Sequence, residues 1–213
     1  MNIKKIYKKI KKKKPNVFQR LYRRTEIFKE RLQGLDFSKV TPSADLGFDD
    51  KLVSHCSPSG NKYLTRLLND LSIGHRDNIL DIGCGKGSAI LRMTELKFNR
   101  VDGIEIASHN AEIARKNFNK LKINNVEIFN IDATKFSGYS NYNYFYFYNP
   151  FPDSIMELVI SQILSQTQAG KSITIIYNNP VCHQVLIQKG LKHIKVYPDQ
   201  WGNGINIYTN NGV

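Results

Sequence analysis

Residues Asn78-Ile79-Leu80-Asp81-Ile82-Gly83-Cys84-Gly85-Lys86-Gly87 decide how this 213-residue chain is read: an apolar strand runs into a turn with glycine at every second position. A helical pattern follows from Ser88 to Leu96. Alternate glycines permit a tight turn and leave no Cβ in the way of a ligand. The start of the next helix presents free N–H groups to a carboxylate or phosphate. A dinucleotide turn of the G-x-G-x-x-G type differs in two places: it carries an apolar residue where Asp81 stands, and a third glycine where this chain has Ser88.

Working outward, strands and helices alternate to the end of the chain. Arg100–Ile104 reads as a strand ending at Glu105, and Ser108–Leu121 as a helix. Val126–Ile131 is a strand ending at Asp132-Ala133, and Tyr142–Tyr148 one ending at Asn149-Pro150. A helix over Ser154–Gln166, a strand over Ser172–Tyr177 and a helix over Val181–Lys189 come next. Lys192–Tyr197 and Ile205–Thr209 close the chain as strands. Strands separated by helices predict a parallel sheet with right-handed crossovers. Residues 198–204 are too few for a crossover, so the last two strands pair antiparallel. Such sheets bind ligands at the C-terminal strand ends, where Asp81, Glu105, Asp132 and Asn149 all fall. Glu105, 24 residues after Asp81, can accept both hydroxyls of a ribose, and Asp132 can address an adenine amino group.

Upstream, Phe18 to Leu32 and Tyr63 to Leu71 read as helices, the second with Leu64, Leu67, Leu68 and Leu71 on one face. Gly34, Pro42, Gly47, Pro58 and Gly60 punctuate the stretch between them. The chain thus divides into a basic arm (1–15), a helical and loop cover (16–70) and a ligand-binding domain (71–213). Of the net charge of +13, residues 1–33 hold +11, from thirteen Lys and Arg against Glu26 and Glu30. The remainder carries only +2, which argues against a core that grips nucleic acid over a broad basic face.

At these residues the sequence resembles the class I S-adenosylmethionine-dependent methyltransferases, over 78–209 and in element order as well as motifs. The resemblance implies a Rossmann-like seven-stranded α/β sheet, mostly parallel with an antiparallel C-terminal strand, behind an N-terminal helical cover. It also implies S-adenosylmethionine as cofactor. Asp81, Gly83, Gly85 and Gly87 match the motif that holds its methionine end, with Asp81 near the amino group. Glu105 and Ile106 match the ribose and adenine position, and Asp132 and Ala133 the adenine edge. D-G-I-E-I at 102–106 and Y-N-P-F-P-D at 148–153 further resemble small bacterial members with a distant likeness to the histone-lysine methyltransferase type. Asn149-Pro150-Phe151-Pro152 resembles the [DNS]-P-P-[FY] motif of amino-group methyltransferases, where the Asn oxygen accepts a hydrogen bond from the acceptor amine. Here Phe151 replaces the second proline, so a planar acceptor does not follow from the likeness. Asn149 is the nominated catalytic and acceptor-orienting residue and is counted with the cofactor-binding set, and nothing in the sequence picks a general base.

The expected activity is methyl transfer to an acceptor, protein or small molecule, with nitrogen favoured. The alternatives are O-methylation of a sugar or cell-surface precursor, a nicotinamide-dependent Rossmann oxidoreductase, and a binding module that has lost turnover. The aromatic run from Tyr142 to Tyr148 reads as a buried central strand. Of the five histidines, His55, His109, His183 and His193 sit in four elements without ligand spacing, so no metal is expected; His55 lies in the cover, where a lid role fits. Three dispersed cysteines, no apolar run of the ~18 residues a bilayer needs and no h-region after the charged start point to a cytoplasmic protein. Residues 1–14, with eight lysines and Ile3, Ile6 and Ile10 at helical spacing, have the chemistry for an anionic membrane surface, RNA or an acidic partner. A peripheral membrane location follows if the first applies.

Overall fold

A computed structural model describes residues 17–41, 57–199 and 202–210. The basic arm over 1–15 and the lid position His55 lie outside those residues. The elements run α1 (Val17–Leu32), α2 (Lys62–Asn69), β1 (Asn78–Ile82), α3 (Ser88–Met93), β2 (Arg100–Ile104), α4 (Ser108–Leu121), β3 (Ile128–Phe129), β4 (Tyr144–Tyr148), α5 (Asp153–Gln166), β5 (Thr174–Asn178), α6 (His183–Gln188), β6 (Lys192–Tyr197) and β7 (Ile205–Thr209). They build one seven-stranded sheet in the order β3-β2-β1-β4-β5-β7-β6. The strands from β3 to β5 pair parallel, while β7 pairs antiparallel with both β5 and β6. This is the α/β sheet expected, its reversed strand included. The strand order turns back between β1 and β4, so the ligand crevice of such a sheet opens over the ends of those two strands.

Both faces of the sheet are covered, which is why β4 reads Tyr-Phe-Tyr-Phe-Tyr without polar alternation. On one face Ile79, Tyr146 and Ile176 pack with Leu64, Leu67 and Leu68 of α2, with Ile90 and Met93 of α3, and with Leu35 and Phe37. On the other, Leu80, Phe145 and Phe147 pack with Met156, Val159, Ile160 and Ile163 of α5. Asn61 starts α2 by accepting from the amides of Tyr63 and Leu64, which turns the three leucines onto the sheet. The described part of the cover therefore shares the sheet's core.

Several elements are shorter than the pattern predicts, α6 among them with 183–188 for the expected 181–189, and three end at visible contacts. β3 keeps only Ile128–Phe129 of the expected 126–131, because the Glu127 amide donates to the Asp102 carboxylate (2.8 Å) rather than to a neighbouring strand. β4 starts at Tyr144 rather than Tyr142, since the Tyr142 phenol turns in to donate to Asp102 (2.6 Å). α3 stops at Met93, and just beyond it the Thr94 hydroxyl takes the Leu91 carbonyl. β5 is displaced instead, and Asn178 closes it. Among the described residues no helix is long and apolar enough to cross a membrane.

Candidate active site

The glycine turn is tied to its neighbour before any ligand is considered. The amides of Gly83 and Cys84 both donate to the Ile104 carbonyl at 2.9 Å, locking the end of β1 to the end of β2. Gly83 and Gly87 adopt φ of +83° and +86°, a region strained for any L side chain. Space is as restrictive as conformation. A Cβ on Gly83 would lie 2.8 Å from Cβ of Pro150, and one on Gly87 2.6 Å from the Phe118 ring. Gly83 thus brings the turn against the Asn149-Pro150 corner, and Gly87 lets α4 close up behind it.

Two buried carboxyls flank this turn. Asp81 is 2% exposed, and no cationic side chain among the described residues pairs with it. Burial, and then the neighbouring Glu105, hold its carboxyl well above the usual carboxylate range. Glu105 accepts from the Gly85 amide through Oε2 and from the Ala107 amide through Oε1, each at 2.8 Å. Burial raises its proton affinity, and the backbone N–H groups of Ala107, Gly85 and Ile106 pull it back. Three amides do not exhaust the acceptor sites of two carboxylate oxygens, so Glu105 keeps room for a further donor.

Around this pair the structure gathers residues that the motifs do not include. Tyr146 stands opposite Asp81 in the β1–β4 register. Its phenol is bonded to the Ser59 side chain and accepts from Asn178 Nδ2 at 3.2 Å. Burial, then the nearby Asp81, push the Tyr146 hydroxyl far up. The other amide atom of Asn178, Oδ1, is buried and has no partner among the described residues. Ser59 belongs to a cover segment lying across the start of α3. The amides of Ser59 and Gly60 donate to Ser88 Oγ (2.9 and 3.2 Å), and a Cβ on Gly60 would fall 1.8 Å from the Ser88 carbonyl oxygen. The start of α3 is therefore in part occupied by the chain itself. Lys86, in the middle of the turn, points backwards: its Nζ bonds Asp36 (2.7 Å) and the Lys39 carbonyl (3.1 Å). Asn117 of α4 completes the clamp, accepting from the Asp36 amide and donating to the carbonyls of Asp36 and Lys86.

The remaining predicted positions are distributed along the strand ends. Asn149 is half-buried with φ of +44°, a left-handed conformation ahead of a proline, and no hydrogen bond of its side chain to a described residue is present. Ile106 is 38% exposed at the lip of the β2 loop. Asp132 caps the turn Ala133–Lys135, its Oδ1 accepting from the Thr134 amide (2.9 Å) and hydroxyl (2.8 Å). Ala133 is buried, and its carbonyl accepts from the Tyr139 phenol (2.7 Å). Asn130 ties these loops together by donating to the carbonyls of Glu105 and Ile106 (2.8 and 3.0 Å). The sequence holds one unused signal for the acceptor side: Asn-Pro occurs twice, at 149–150 and 179–180, after adjacent strands. Asn179 repeats the left-handed backbone with φ of +53°. Cys182, beyond the second corner, donates to the Phe151 carbonyl of the first at 3.5 Å. Burial pushes its thiol up to about 11.

Comparison with known proteins agrees with this fold. Residues 79–169 match a family model described as a methyltransferase domain. A curated rRNA adenine N-6-methyltransferase from Lysinibacillus sphaericus is 29% identical over 114 residues, 54% of this chain and 45% of that protein. The chain therefore spans less than half the length of this relative. The solved putative methyltransferase yhhF from Escherichia coli has a TM-score of 0.57 at 16% identity, over 73% of this chain and 89% of its own. A SAM dependent methyltransferase from Aquifex aeolicus gives 0.54 at 14%, over 80% and 98%. At such identities the two structures speak for the fold. The domain match takes in the glycine turn and the strands after it, so over residues 79–169 this chain is similar to methyltransferase domains.

Proposed function

We propose that this protein transfers a methyl group from S-adenosylmethionine to a nitrogen acceptor held at the Asn149-Pro150 corner. The observation that carries the reading is the pair of buried carboxyls at one glycine turn, Asp81 without a cationic neighbour among the described residues and Glu105 on the Gly85 amide. Two carboxyls with no cation beside them offer a pyrophosphate no counter-charge and suit a ligand with an ammonium group and free hydroxyls. S-adenosylmethionine has both. Asp81 would take its amino group, the remaining lone pairs of Glu105 its ribose hydroxyls, Ile106 the face of its adenine, and Asp132 with Ala133 the adenine edge. Gly83, Gly85 and Gly87 keep side chains out of that path.

The cofactor supplies a methyl group on a sulfonium, already activated for displacement and with a neutral leaving group. The chain's part is to place the acceptor, and positioning of this kind is worth up to roughly 7–11 kcal/mol. Asn149, half-buried and uncommitted, accepts a hydrogen bond from the acceptor amine and turns its lone pair toward the turn. An amine needs no general base to attack, which suits a corner whose nominated residue is a neutral amide. Support for nitrogen comes from the likeness of Asn149-Pro150-Phe151 to the amino-group motif, and from the curated relative, named for methylating an adenine nitrogen.

The test uses the full chain with S-adenosylmethionine labelled in its methyl group and fractionated cell extract. Label should be recovered on nitrogen after hydrolysis of the product. Asn149→Ala should lower transfer by ~10-fold or more, the loss of one hydrogen bond made to the reacting group. Label on oxygen, or undiminished transfer by the variant, defeats the nitrogen reading. Calorimetry in which NAD binds and S-adenosylhomocysteine does not defeats the cofactor assignment as well.

A further inference from the structure

Helix α1 presents an apolar row to solvent. Leu21, Thr25, Phe28 and Leu32 are spaced four, three and four residues apart, so they fall on one line of the helix. All four are exposed, and the three apolar members keep 58%, 62% and 74% of their surface in water. The opposite side of the helix holds it to the body. Glu30 points away from the row and accepts from the amides of Phe37 and Ser38 (3.0 and 2.8 Å) and from the Ser38 hydroxyl (2.5 Å). Leu35 and Phe37, just past the helix, are buried in the core. The row is therefore fixed facing outward.

Its flanks are cationic. Arg20, Arg24 and Arg31 lie along one side of the row and Lys29 along the other, all exposed. Of the two acids in the helix, Glu30 is engaged with the backbone, and Glu26 lies on the far side, 3.4 Å from Lys29. We infer that this face of α1 is a docking surface for an anionic phospholipid bilayer, with Leu21, Phe28 and Leu32 entering the acyl boundary and the arginines meeting headgroup phosphates. A phosphate ladder such as RNA would call for cations in the centre of the face, where this helix has its largest apolar side chains. A bilayer takes both at once, apolar centre and cationic rim. The stretch before the helix has the same make-up, eight lysines among 1–14 with Ile3, Ile6 and Ile10, so the electrostatic attraction accumulates along the chain.

The test is vesicle flotation of the full chain on phosphatidylcholine alone and on phosphatidylcholine with phosphatidylglycerol at about one part in three. Binding should be confined to the anionic vesicles and should fall by ~10-fold or more in 0.5 M salt. Phe28→Asp with Leu32→Asp should abolish flotation, as should Arg20→Glu with Arg24→Glu and Arg31→Glu. Both variants should leave the affinity for S-adenosylhomocysteine unchanged, which shows that the body is folded. Flotation of the aspartate variant at the unmodified level overturns the inference, since residues 1–14 alone would then suffice. Equal flotation on neutral vesicles overturns it too. So does an RNA hairpin shifted by the unmodified chain but not by the aspartate variant, or a dimer in light scattering that those aspartates dissociate.

Discussion

Asp81 carries the conflict on which the site is built. A carboxyl with 2% of its surface exposed and a second carboxyl beside it favours the neutral form, so the ligand-free protein is penalised wherever Asp81 has to ionise. The sign follows from linkage. An acid whose proton affinity rises on folding adds stability below its unfolded pKa of about 3.9, and loses it as pH climbs through the folded value. Asp81→Asn should therefore raise the melting temperature of the free protein at pH 7.5, with the gain shrinking toward pH 4. Each kcal/mol relieved is worth roughly 2–4 °C in a chain of this size. The same change should weaken S-adenosylhomocysteine binding by ~10-fold or more, the worth of a charged hydrogen bond. Melting curves across pH beside calorimetry decide it; a variant that binds as tightly as the native chain would mean that Asp81 does not meet the ligand. The sequence shows Asp81 as a departure from a dinucleotide turn, but not its isolation, which depends on where Lys86 points. The only cation in the motif is turned away to Asp36, 50 residues earlier in the chain, and no spacing rule relates those two positions.

Elements were legible where their periodicity is long and their ends are governed locally. α4 and both closing strands run between the residues expected, and β1 and β2 do the same. Boundaries moved where a side chain from another element claimed a backbone group or was itself claimed, as Asp102 does to the Glu127 amide and the Tyr142 phenol. One boundary holds a removable strain. Lys122 ends α4 with φ of +56°, a left-handed cap that glycine adopts freely. Lys122→Gly should stabilise the protein by about 1 kcal/mol in denaturant titrations, without effect on ligand binding. The clamp from cover to turn predicts the opposite. Lys86 is 3% exposed in its side chain and Asp36 35%, so Asp36→Ala strands a buried ammonium on a single carbonyl. A loss of ~1–3 kcal/mol is expected, below the cost of a wholly buried pair because Asp36 is partly in water. No measurable loss would show that the cover docks without this pair.

Taken whole, the chain joins a nearly neutral body to a strongly basic leading segment, and that division could be read from composition alone. Composition could not reveal which way α1 faces, because its orientation is set by the Glu30 carboxylate on Phe37 and Ser38 and by the core packing that follows. Nor could it reveal that the ends of β4 and β5 are built alike. Asn149 and Asn179 both hold a left-handed backbone before a proline, at a cost on the order of 1–3 kcal/mol each, and the Cys182 thiol joins one bend to the other. That contact ties the two bends to each other. If an acceptor docks at Asn149 as proposed, it meets an entrance cast during folding rather than moulded around its guest, and selection among candidate molecules falls to the shape they bring with them.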